Sequence, residues 1–202
     1  MATQPQAATG PEQDAAIRRQ VDEALGNEPE SIKATLVNAI RELQAAQKPG
    51  TESAGRVGLR QGKVSELTIL VPFKPGGAER LRRILKLLHG HFSADKVGTL
   101  HDMRFVIVDN DTKLIFATAY DGEWDPYIDD FVTKIPDEMD LVFSGCEGWP
   151  GIRDPSVKDW IVKHQIPADG WYVASPNLTV ADTWRLERVG KALDEFLDKI
   201  SS

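Results

Sequence analysis

The sequence predicts an α+β fold in which an antiparallel sheet carries helices on one face and follows a helical hairpin. Three observations predict it. Two runs between His101 and Tyr120 alternate: His101, Met103, Phe105 and Ile107 against Asp102, Arg104, Val106 and Val108, then Leu114, Phe116, Thr118 and Tyr120 against Ile115, Ala117 and Ala119. Period two is the mark of strands. The Asp109-Asn110-Asp111 between them tolerates the left-handed backbone of a tight connection, so the runs pair as an antiparallel hairpin. Ahead of them the period lengthens to that of a helix, with Leu81, Ile84, Leu85 and Leu88 on one side and Arg80, Arg82, Arg83 and Lys86 on the other.

The 202 residues suit one domain of ordinary size with an appendage. A single cysteine, Cys146, excludes an internal disulfide, and the absence of a basic-then-apolar leader predicts a reducing, cytoplasmic address. No apolar run approaches the ~20 residues of a membrane span. With 24 basic against 31 acidic residues the net charge is −7, which argues against nucleic acid as a partner.

In order, residues 1–13 are poor in bulky apolar side chains and predict a mobile tail. Residues 14–47 hold two helical patterns split by Gly26-Asn27-Glu28-Pro29, and 48–63, with four glycines, read as a linker. The main domain, 64–202, opens with a strand in which Leu67, Ile69, Val71 and Phe73 alternate with Glu66, Thr68 and Leu70. The 81–88 helix ends at Gly90, between His89 and His91, and the hairpin follows. Asp121-Gly122 then stops the second strand. Pro126 opens a helix with Tyr127, Ile128, Phe131 and Val132 inward, and Pro136 starts another. Asp154-Pro155 caps a helix with Val157, Trp160, Ile161 and His164 on one stripe. Trp171 to Ala174 reads as a last strand. Thr179 and Asp182 form a capping pair for a terminal helix whose Val189, Leu193, Phe196, Leu197 and Ile200 are expected to face the core.

That succession is the βαββαβ order of the ferredoxin-like fold. Helices on one face leave the other bare, and Phe105, Ile107, Phe116 and Thr118 are too many for one layer of helices to cover, so a homodimer paired through the sheet is expected. At LIF (114–116), YDGEW (120–124), YIDDF (127–131), GCEGWPG (145–151) and WIVKHQIPADGWYVASPNLTV (160–180) the chain resembles a bacterial branch of the dimeric α/β-barrel superfamily, over about residues 64 to 200. That superfamily holds haem enzymes of the chlorite dismutase and dye-decolourising peroxidase kind, cofactor-free monooxygenases and plain binding proteins. The resemblance implies an oxidoreductase-like protein with haem or a small aromatic or apolar ligand between sheet and helices; a non-catalytic ligand-binding or protein-interaction module is the alternative.

His164, on an apolar helix stripe, is the candidate haem-iron ligand or base, set against a core histidine bonded to a carbonyl. His101 is the second candidate, on the parity of Met103 and Phe105. Cys146 lies in a Gly-rich loop whose amides favour a thiolate, whereas Glu147 opposes one, and Gly145 stands where the resembled branch carries a histidine. Tyr120, Trp124, Trp160 and Phe105 are the expected ligand-binding walls. Asp121, Glu123, Asp125, Asp129 and Asp130 bunch closely, but their spacing is not that of a calcium loop, and capping and solvation account for them.

Overall fold

The computed structural model describes residues 10–46, 50–88 and 94–201. These divide into two compact units, one before residue 50 and one from Gly50 on. The first is the predicted hairpin, α1 (Gly10–Leu25) and α2 (Glu30–Ala45). Ile17, Val21 and Val37 form its small core, with Leu25, Leu36 and Ile40 packed against them. Arg41 Nε donates to Asp14 at 2.8 Å, and Lys33 pairs with Asp22 at 3.0 Å. The tail predicted through residue 13 is too long at its inner end, because α1 begins at Gly10; a proline at the second position of a helix is preorganised for it rather than disruptive. Residues 1–9, and the expected stop at Gly90 with its flanking His89 and His91, lie outside the described residues.

The predicted linker is corrected from Gly50 on. It forms a ribbon of β1 (Thr51–Ser53) and β2 (Leu59–Gln61) that joins the sheet through β2. The glycines that read as slack are there for close approach. A Cβ on Gly58, whose φ is +96°, would lie 2.6 Å from the Glu66 carbonyl oxygen.

The sheet runs β1-β2-β3-β5-β4, with β3 (Val64–Pro72), β4 (Leu100–Val108) and β5 (Lys113–Asp121), and every neighbouring pair is antiparallel. The β4–β5 turn has Asp109, Asn110 and Asp111 at φ 55°, 50° and 68°, the left-handed conformation their side chains tolerate. Across the sheet the rungs Leu67–Thr118–Met103, Ile69–Phe116–Phe105 and Val71–Leu114–Ile107 share one face. That face packs into a single core with Leu81 of α3 (Gly77–Leu87), Ile128 and Phe131 of α4 (Trp124–Lys134), Met139 and Phe143 of α5 (Pro136–Phe143), and Trp160 and Ile161 of α6 (Val157–His164). The ground for a sheet-mediated dimer is thereby overturned, because Phe105, Ile107, Phe116 and Thr118 all lie on the packed face. The outer face carries Thr68, Ala117 and Arg104 on one rung, Leu70, Ile115 and Val106 on the next.

Two further expectations are corrected. Residues 171–174 are in no strand, so nothing there completes the βαββαβ order. The free edge of β3 is taken instead by β2 and by one bridge, Ile69 to Gln165. Pro167 and Pro176 bracket the segment and lack the amides a ladder needs. The terminal helix α7 (Val180–Ser201) begins with the predicted capping box: Thr179 N–H donates to Asp182 Oδ2 at 3.1 Å and Asp182 N–H to Thr179 Oγ1 at 3.0 Å. Yet Val189, Leu193, Phe196, Leu197 and Ile200 are exposed, and Val180 is the buried residue of the helix. Periodicity shows that a helix is amphipathic, not what covers it.

Candidate functional site

At its N-terminal end β4 breaks step. Asp102 stands opposite Ala119 and Leu100 opposite Tyr120, so His101 is an extra residue without a partner. Alternation alone places His101 beside Met103 and Phe105; the irregularity gives the inner position to Leu100 and releases the imidazole, as bulges near sites do. The ring is caught by Asp121, the last residue of β5, with His101 Nε2 2.8 Å from Asp121 Oδ1. The other carboxylate oxygen accepts the Val180 N–H at 2.9 Å, at the start of α7. A carboxylate only accepts, so Nε2 is the donor to Asp121; in the neutral imidazole Nδ1 is then an acceptor. The Val180 amide is 59 residues away in sequence, so Asp121 ties the end of β5 to the start of α7.

His101 borders a cavity of about 270 Å³ on the outer sheet face. His101, Asp102 and Ala119 line it from the sheet, and Trp171, Tyr172 and Ser175 from the segment that crosses over them. The crossing segment is fastened at several points. Gln61 Nε2 donates to Trp171 O at 2.9 Å, and Lys63 N–H to Pro176 O at 2.7 Å. Ile166 N–H donates to Thr68 O at 2.8 Å. Glu66, 4% exposed and on the same face, accepts from Leu59 N–H at 3.1 Å, Ala168 N–H at 3.2 Å and the Thr68 hydroxyl at 3.2 Å. A second hollow of about 460 Å³, lined by Leu70, Ile115, Ile166 and Pro167, lies farther along this face.

The other predicted site residues are elsewhere. His164 donates from Nδ1 to Trp160 O, 2.8 Å away on its own helix, and its ring lies 4.4 Å from the Trp160 ring. Cys146 is buried, and burial pushes its thiol up to about 12, against the weaker pull of Lys74 and Arg80. It is a protonated core thiol at neutral pH. Tyr120 stacks on Tyr127 with centroids 3.7 Å apart, and burial pushes both phenols well above their ordinary value. Their hydroxyls, with Ser65 and Thr118 alongside, fall outside hydrogen-bonding geometry. Trp124 is fully buried and donates from Nε1 to Gln165 Oε1 at 2.7 Å. Trp160 meets Phe143 and Trp149 edge-on, and Phe105 leans on Phe116 at 5.2 Å. The expected haem walls are each packed against other core side chains, and these residues do not fit a haem.

The acidic run is engaged in ion pairs: Asp125 with Lys158 and Arg56, each at 3.0 Å, Asp129 with Lys158 at 2.8 Å, Asp130 with Lys134 at 2.9 Å, and Glu123 with Arg60. No group of three or more metal-ligating side chains occurs among the described residues. None of their helices is long and apolar enough to cross a membrane.

Sequence reasoning missed Glu66, Gln165 and the role of Trp171 and Tyr172. Glu66 left a signal, an acidic residue inside the apolar run of β3; the others left none, because they act through contacts more than 40 residues apart in sequence. Compared with protein-family models, curated proteins and solved structures, the chain matches none.

Proposed function

We propose that the unit from Gly50 on is a ligand-binding module for a small aromatic compound of one or two rings carrying a hydrogen-bond donor. The observation that carries this reading is the His101–Asp121 pair beside the outer-face cavity, fixed by a break in strand register. In the neutral imidazole Asp121 selects the tautomer with an accepting Nδ1, which suits a phenol or indole donor. Trp171 and Tyr172 supply apolar area with polar edges, the usual lining of small-ligand sites. At about 270 Å³ the cavity lies just below the usual range of such sites, which favours one or two rings over a macrocycle. A bound ligand would also bear on α7, since Asp121 links the imidazole to the first amide of that helix.

The test is an NMR titration with phenol and with indole. The His101 ring and the Trp171 indole N–H are expected to shift together and saturably, and His101→Ala to abolish the response while the fold persists. Haemin added as a contrast is expected to give no shifted Soret band. Resonances of both residues that stay put at saturating phenol and indole would overturn the proposal.

A further inference from the structure

We propose that the ligand of the outer-face cavity also carries a cation, a protonated primary amine, which Asp102 receives; this rests on the aromatic-ligand reading of the same cavity. The local backbone makes the arrangement. In a regular strand successive side chains point to opposite faces, so His101 and Asp102 would be parted by the sheet. The shift of register between Leu100 and Asp102 leaves His101 without a partner across the ladder, and both side chains line the one cavity. Two acceptors of different kind thus stand side by side on the outer face. The imidazole nitrogen suits a neutral donor, and the carboxylate suits a charged one.

The charges around the cavity favour a cation. Ala119, which lines it from the sheet, has Glu66 opposite it on β3 and Asp102 opposite it on β4, so an acidic residue flanks it on either side. Asp121 adds a third, held against His101. Among the described residues no lysine or arginine lines the cavity. Two basic residues stand at neighbouring positions. Lys63, beside the lining residue Val64, pairs with Asp182 at 3.2 Å. Arg104, the next outer-face residue of β4, brings Nε to 3.2 Å from Asp102 Oδ1, but the two side chains are 66% and 51% exposed. Solvent leaves such a pair little net worth, so an amine seated in the cavity competes with Arg104 for the carboxylate. Trp171 and Tyr172 add to the same preference, because the faces of aromatic rings attract ammonium groups. An anionic ligand would instead meet Asp102 with no lining lysine or arginine to receive it.

An NMR titration of the full chain at low ionic strength tests this, with tyramine, phenol and 4-hydroxyphenylacetate as probes and the His101 ring and Trp171 indole N–H as reporters. The three share a phenol ring and differ in the charge attached to it. Tyramine is expected to bind at least about tenfold more tightly than phenol, the worth of one charge-assisted hydrogen bond, and 4-hydroxyphenylacetate more weakly than phenol. Asp102→Asn is expected to erase the difference between tyramine and phenol, with its melting measured alongside. Saturable phenol binding with tyramine no tighter, or with 4-hydroxyphenylacetate tighter than tyramine, would overturn this inference and leave the aromatic-ligand reading in place. So would a tyramine advantage that survives Asp102→Asn, which would put the cation elsewhere. Reporters that stay put with all three probes would overturn that reading and this inference together.

Discussion

Replacing Glu66 is the sharpest probe of how the outer face is assembled. Its carboxylate accepts three hydrogen bonds, from the Leu59 and Ala168 amides and the Thr68 hydroxyl, and its side chain is nearly fully buried. Glu66→Ala leaves those donors without their acceptor and opens a cavity. A lost hydrogen bond to a charged group costs about 1.5 to 3 kcal/mol. The three are long, so the lower figure applies to each, and relaxation of the crossing segment lets solvent recover part; about 3 kcal/mol is expected in total. For a domain of this size that is a fall of roughly 6 to 12 °C in melting temperature. Glu66→Gln behaves differently. Its carbonyl oxygen serves both amides, and its NH₂ donates to the Thr68 oxygen, so about 1 kcal/mol or less is expected. Urea unfolding followed by tryptophan fluorescence measures both variants. If Glu66→Ala unfolds within 1 kcal/mol of wild type, or Glu66→Gln costs as much as Glu66→Ala, the acceptor geometry does not hold this face and the reasoning fails.

Gly122 sits at φ +85° with open space around it, so Gly122→Val meets no atom and is expected to cost about 1 to 3 kcal/mol through backbone strain alone; calorimetry within a degree of wild type would contradict this. Cys146 is expected to resist alkylation by iodoacetamide at pH 8 in the native protein and to label fully in urea, read by mass spectrometry, because burial holds the thiol at about 12. The start of α7 is expected to loosen in acid. Backbone and side-chain hydrogen bonds from Thr179, then Lys63, hold Asp182 down from 3.8 to about 2. A depressed carboxyl stabilises the fold above its unfolded value and loses that contribution as pH falls through the folded one, so the window runs from about pH 4 down to 2. Exchange of the Thr179 amide with solvent reports it, and Asp182→Asn is expected to remove the pH dependence.

What the sequence made legible was local. Alternation in 101–108 and 114–120 identified β4 and β5, the Asp-Asn-Asp turn paired them, and Thr179 with Asp182 marked the start of α7, because each rests on residues within a few positions of one another. It also separated the helical hairpin from the sheet domain. Where sequence reading went astray, a local signal carried two meanings. The glycines of 50–63 read as slack but shape a ribbon, and the stripe of α7 read as core but faces outward. Trp171–Ala174 has the composition of a strand, yet β2 and the Ile69–Gln165 bridge already hold the edge of β3. Tyr120, Trp124 and Trp160 look the same in sequence whether they wall a pocket or fill a core. Only tertiary structure chose the core, because only packing decides whether rings meet a ligand or one another. It alone brought His101 to Asp121 and set Trp171 in the same cavity lining as His101, since one unpaired residue in β4 turns the imidazole to the other face and no local preference encodes that step.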